Sequence, residues 1–286
     1  MTELDFAHLA GALDFSGKVV IVTGGARGIG RGISAGFLAA GAHVVVCGRS
    51  GPAEDELPSA RDAGGTVRRA VFVAADLRDA DQAAAVVTAT VDRFGRLDTL
   101  VNNAGGSPPV DAAEASPRFS ASIVALNLLA ALHCAQAANR VMQTQPDGGS
   151  IVNMTSVSGM RPSPGTAAYG AAKAGLINLT QTLAMEWAPR VRVNCLSFGM
   201  VATETADDHY GGPEGMAAAA TVPLGRFATP ADAAGLCLVL ASPLASYVTG
   251  ANLVAHGGGE RPPFLAAVAQ ATSVPEAPSA SEVAAD

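Results

Sequence analysis

The sequence predicts an α/β fold: a doubly wound, parallel β-sheet of about seven strands with helices on both faces. Short runs rich in Val and Ile alternate with longer Ala-rich stretches, and such alternation implies right-handed βαβ crossovers. Several of the short runs are apolar at nearly every position rather than at every second one, as strands covered on both faces must be.

The elements follow in order. A strand at 18–23 (KVVIVT) leads into a helical pattern over 28–40, and a second strand lies at 43–47 (HVVVC). Residues 51–65 hold Pro52, Pro58 and a Gly pair, so a helix there is expected to be short or frayed. Strands at 70–74, 98–101, 150–154 and 191–195 alternate with helices over 80–94, 117–142 and 167–187. A last helix at 230–240 precedes a weaker seventh strand at 252–255. The expected organisation is an N-terminal extension (1–14), one domain (15–260) and a Pro-, Ala- and Ser-rich tail (261–286), either flexible or docked on a neighbouring subunit. The long connection at 199–226 interrupts the alternation and is expected to cover a substrate.

Composition narrows the function. A net charge of −7 with no basic run excludes a general nucleic-acid binder. Cys47, Cys134, Cys195 and Cys237 form no C-x-x-C pair and read as reduced, buried thiols. His8, His43, His133, His209 and His256 have no metal-ligand spacing, so no metal is expected. The sequence reads as lacking a signal-peptide pattern and a membrane-length apolar run, so a cytoplasmic protein with no membrane partner is expected.

Residues 23–30 (TGGARGIG) follow the first strand and open the first helix. That context marks a Rossmann-type dinucleotide loop, in which glycines let the backbone approach a pyrophosphate and the helix N-terminus offers it free N–H groups. The second strand ends Val46-Cys47-Gly48-Arg49-Ser50, with no acid to bind a ribose 2′-hydroxyl. Arg49 and Arg27 instead suit a 2′-phosphate, which favours NADP(H) and leaves NAD(H) as the alternative.

Tyr169 and Lys173 stand four residues apart, on one face of a helix. An ammonium beside a phenol lowers the phenol pKa from about 10 and makes it a usable acid/base. The pair alone is a common coincidence. With its neighbours, the stretch from Phe15 to Gly258 resembles the short-chain dehydrogenase/reductase family in its compact single-domain form. The resemblance rests on the glycine loop, on Asp76-Leu77 after the third strand, on Asn102-Asn103-Ala104-Gly105 after the fourth, and on Asn127, Ser156, Tyr169 and Lys173 in order. Ser156 precedes Tyr169 by the family's spacing, which selects it over Thr155 and Ser158.

The resemblance implies a catalytic tetrad. Tyr169 exchanges a proton with the substrate oxygen, Ser156 polarises that oxygen, Lys173 holds the nicotinamide ribose and depresses the Tyr169 pKa, and Asn127 positions a proton-relaying water. It implies cofactor contacts from Gly24, Arg27, Gly28, Ile29, Gly30, Arg49, Ser50, Asp76, Leu77, Asn103, Ala104, Gly105, Tyr169, Lys173, Gly199, Val201 and Thr203. Phe198 stands where the family usually has proline, and its ring is expected to face the cofactor or substrate. A homodimer or homotetramer joined through helices 117–142 and 167–187 is implied as well.

The expected activity is hydride transfer between NADP(H) and a carbonyl or secondary alcohol. Residues 106–110, 158–164 and 198–216 are mostly small, apolar or flexible, which suggests an apolar small-molecule substrate such as a 3-oxoacyl thioester or a cyclic ketone. The alternatives are an NAD-dependent alcohol dehydrogenase and a non-catalytic dinucleotide sensor or scaffold.

Overall fold

The computed structural model describes residues 11–204 and 219–259. The first ten residues, the middle of the 199–226 connection (with His209 and Tyr210) and the tail lie outside the described residues.

A seven-stranded parallel sheet forms the centre, as expected. β1 (Val19–Thr23) is flanked by β2 (His43–Gly48) and then β5 (Val71–Ala74) on one side. On the other side lie β6 (Thr99–Asn102), β7 (Gly149–Ser156), β8 (Val191–Phe198) and β9 (Asn252–Ala255). Because the strands alternate their side chains between two faces, each face has its own core. Val20, Val22, Val44 and Val46 pack beneath α1 (Gly28–Ala39) and α6 (Pro230–Ala241). Ile21, Val45 and Leu100 pack beneath α2 (Ala80–Phe94) and α4 (Ala130–Met142), joined by Leu183 from the C-terminal half of α5 (Ala167–Trp187).

Local chemistry sets the helix ends. Asp79 caps α2 by accepting the N–H groups of Asp81 and Gln82, and Gly95 ends it in the left-handed conformation. Thr229 and Asp232 form a capping box at α6, with Pro230 in its first turn.

Three features depart from the sequence expectations. The β2-to-β5 crossover carries no α-helix. A 3₁₀ turn (Glu54–Glu56) is followed by a small antiparallel ribbon of β3 (Ser59–Arg61) and β4 (Val67–Arg69), which packs on α1. Pro52 and Pro58 break the helix, and the Gly64-Gly65 pair provides the ribbon's turn. Next, the long helical run splits into α3 (Pro117–Val124), a π-helical turn (Ala125–Leu129) and α4. Contrary to the sequence expectation, this run (Pro117–Met142) is by length and composition apolar enough to cross a membrane, and 44% of its apolar window is buried inside the protein. Finally, Phe198 does not face the crevice: it is 4% exposed and lies in the core under α1 and α6, in the cluster that contains Met154 and Val201. With no proline to interrupt it, β8 runs through Phe198, and the Gly199 N–H continues the ladder to the Ala255 carbonyl.

Candidate active site

The sheet is wound outward from β1 in both directions, so a crevice opens at the C-terminal ends of β1 and β6. Thr23 and Asn103 close its floor. Thr23 Oγ1 accepts the N–H of Asn103 and of Ala104, both at 2.9 Å, and Asn103 Nδ2 donates to the Thr23 carbonyl at 2.9 Å. Asn102 turns into the sheet instead, donating to the Ala131 carbonyl and to Asn153 Oδ1.

The glycine loop is tight. A Cβ on Gly30 would stand 2.4 Å from the Gly24 carbonyl oxygen and 2.5 Å from Asn103 Nδ2. Gly28, where α1 begins, has φ of +53°, a conformation that disfavours side chains. The N-cap of α1 is Arg27, which makes no side-chain capping bond, and the first turn holds no acid. Its anion comes from far along the chain: Glu204 Oε1 accepts the Gly28 N–H at 2.7 Å. Thr203 accompanies it, with its methyl 3.8 Å from where a Gly28 Cβ would lie. The Glu204 carboxyl is held below its ordinary pKa by its own N–H and that of Gly28, with the charges of Arg31 and Arg27 adding to the effect.

The remaining cofactor candidates are distributed around this crevice. Arg27, Arg49 and Ser50 are exposed, and Ile29 is half-buried against the core. The Asp76 carboxylate is taken by Arg78, whose hydrogen bonds hold its pKa down at about 2. Arg49 adds a smaller lowering effect, which puts its charge within reach of Asp76. The Leu77 side chain is spent on the core beside Val45 and Cys47. Val201 is buried and bridges to Ala228 beyond the connection.

Beyond Gly105 lie Asn127 and Lys173, with Tyr169 one turn before Lys173 on α5 and Ser156 at the end of β7. One helical turn of α5 separates Tyr169 from Lys173, and Lys173 Nζ lies 5.5 Å from the centre of the Tyr169 ring. Lys173 is 4% exposed and donates to the Met154 carbonyl at 2.8 Å. Burial pushes its pKa down to about 8. Asn127, 1% exposed, sits in the middle of the π-helical turn. Its Oδ1 accepts the Gly106 N–H at 2.8 Å, and its Nδ2 donates to the Gly106 and Ile123 carbonyls, both at 2.9 Å. Gly105 lies between them: a Cβ there would stand 2.6 Å from Asn127 Oδ1 and 3.3 Å from Lys173 Nζ. Ser156 ends β7, two residues beyond the carbonyl that Lys173 holds. Its hydroxyl accepts the Ser158 N–H at 3.1 Å and keeps its own proton to donate.

Sequence reasoning missed three parts of this site. The π-helical turn leaves no mark on the apolar pattern. The Thr23 clamp pairs residues from separate strands. Glu204 itself carried no signal; only the start of α1, with no acid and no Ser, Thr, Asp or Asn at its cap, showed that its N–H groups need an acceptor from elsewhere.

Comparison with known proteins agrees with this architecture. Residues 24–260 match a family model described as enoyl-(acyl carrier protein) reductase. A 3-oxoacyl-[acyl-carrier-protein] reductase of Synechocystis is 36% identical over 244 residues, covering 84% of this chain and 96% of the relative. A D-threitol dehydrogenase of Mycolicibacterium smegmatis is 36% identical over 243 residues, covering 85% and 92%. The crystal structure of a putative short-chain alcohol dehydrogenase from Sinorhizobium meliloti superposes with a TM-score of 0.77 at 36% identity, covering 86% of this chain and 98% of that one. The chain therefore belongs to the short-chain dehydrogenase/reductase family and is an oxidoreductase acting on CH–OH or C=O groups.

Proposed function

We propose that this enzyme uses NADP(H) to interconvert a ketone and a secondary alcohol on an apolar substrate, of the 3-oxoacyl thioester or cyclic ketone type. The observation that carries the reading is the buried Lys173 ammonium 5.5 Å from the Tyr169 ring. A cation held there stabilises the phenolate and brings Tyr169 toward the pKa at which it can exchange protons near neutrality.

The family implies a nicotinamide dinucleotide, and the loop fits one: no side chain can occupy Gly30, and α1 has no local cap for its N–H groups. When bound, that group donates or accepts the hydride. The protein's own residues supply the proton and the orientation. Tyr169 protonates the substrate oxygen in reduction and deprotonates it in oxidation. Ser156 donates its hydroxyl proton to the same oxygen and stabilises the charge that develops there. Lys173 holds the nicotinamide ribose as well as tuning Tyr169. Asn127 fixes the backbone at Gly106 beside Lys173 and positions a water for proton relay. Arg27 and Arg49 grip the 2′-phosphate, since β2 ends without an acid.

The loops at 106–110 and 158–164 offer few charges, and the Val110 N–H to Gly165 carbonyl bond (2.8 Å) ties the first to the end of the second. That supports an apolar substrate, and the name of the Synechocystis relative supports the 3-oxoacyl class. The exposure of Ala167, Ala171, Ala174 and Met185 along α5 supports a homodimer or homotetramer. The four thiols are free and buried, which suits the cytoplasm.

Titration with NADPH and with NADH, each followed by nicotinamide fluorescence, tests the cofactor reading. Much tighter binding of NADPH is expected. Preference for NADH would overturn the choice of cofactor, and binding of neither would overturn the enzymatic reading.

A further inference from the structure

We infer that Glu204 occupies the dinucleotide's pyrophosphate position on α1 and must leave it for the cofactor to bind, so that this carboxylate sets cofactor affinity. The inference rests on the dinucleotide reading of the glycine loop and adds to it a competing group from the protein itself.

The N-terminus of α1 has no side-chain cap of its own. Arg27, its N-cap, is extended and makes no side-chain capping bond, and no acid stands in the first turn. Uncapped N–H groups and the partial positive charge of the helix end draw an anion. In a glycine loop that opens a helix, the anion is the pyrophosphate. Here the Gly28 N–H is already bonded to Glu204 Oε1 at 2.7 Å, across 176 positions of sequence. The Thr203 methyl stands 3.8 Å from where a Gly28 Cβ would lie, and the charges of Arg31 and Arg27 act on the same carboxylate.

One N–H cannot serve two anions in full, and two anions at one helix end repel each other. A pyrophosphate arriving at Gly28 therefore displaces Glu204 at a cost in binding energy. While Glu204 stays, part of the positive field of Arg27 is also neutralised, and that is the field a 2′-phosphate would use. Removing the charge while keeping the side chain's size isolates the effect.

The test compares wild type, Glu204→Gln and Glu204→Ala by calorimetric titration with ADP at pH 7, with adenosine competition against NADPH fluorescence as the control. Both variants are expected to bind ADP roughly three- to thirtyfold more tightly, the range set by one carboxylate at a helix N-terminus. Adenosine, which lacks the phosphates, is expected to bind all three proteins alike. Unchanged or weaker ADP binding by the variants, with NADPH still bound by wild type, would overturn the role of Glu204 and leave the cofactor reading standing. Equal tightening for adenosine would overturn it too, since the effect would then not lie at the phosphates. If none of the three proteins binds ADP or NADPH, the cofactor reading falls and takes this inference with it.

Discussion

Thr23 and Asn103 clasp each other across the crevice. The threonine hydroxyl accepts the asparagine N–H, and the asparagine amide donates to the threonine carbonyl, each at 2.9 Å. The clasp joins the glycine loop after β1 to the segment after β6, at the point where the winding of the sheet reverses. The cofactor cradle is thereby set by the fold before any ligand arrives.

Replacing Thr23 with Val keeps the shape and removes the acceptor for two N–H groups, those of Asn103 and Ala104. At about 1–3 kcal/mol for each of the two orphaned donors, a loss of about 2–6 kcal/mol is expected. Urea denaturation measures it. Wild-type stability in Thr23→Val would show that the clasp does not hold the loop.

Lys173 costs the folded protein stability while it is charged. Burial lowers its pKa from 10.5 to about 8, so below pH 8 both the folded and the unfolded chain carry the proton. The folded one then bears a desolvation penalty of about 3 kcal/mol. As pH rises from 8 toward 10.5, the folded chain loses the proton first and the penalty disappears. Lys173→Met is expected to be inactive yet more stable than wild type at pH 7, by up to about 3 kcal/mol, with the gap narrowing above pH 8 and closing above about pH 10.5. A gap that does not change with pH would contradict the buried, charged lysine.

Arg49→Asp places an acid where β2 has none. The loss of charge-assisted bonds to a 2′-phosphate predicts about 10- to 100-fold weaker NADPH binding, with NADH unaffected or improved. Equal losses for both cofactors would mean that Arg49 does not read the 2′-phosphate.

The fold was legible because it rests on patterns a sequence carries openly. Apolar runs such as VVIVT in β1 can only be strands buried on both faces, and glycines at 24, 25, 28 and 30 after a strand leave little choice of loop. The ribbon at β3 and β4 was harder to see. Its prolines argued for no more than a short or frayed helix, and three-residue strands have too little periodicity to announce themselves. Phe198 misled for a related reason. An aromatic in a loop position suggests a ligand contact, whereas the absence of proline lets β8 extend and carry the ring into the core. Tyr169 and Lys173 were visible as a pair on one helix. Glu204 was not, because its partner Gly28 is distant in sequence and only the fold brings them together.

The most direct test is turnover by Tyr169→Phe, after a panel of ketones with NADPH has identified a substrate for the wild-type enzyme. The variant keeps the ring beside Lys173 and loses only the hydroxyl that carries the acidic proton. A fall in kcat of about 10²- to 10⁴-fold with NADPH affinity unchanged is expected, the size of a positioned acid/base contribution. Wild-type turnover by Tyr169→Phe would contradict the assignment of Tyr169 as the proton donor.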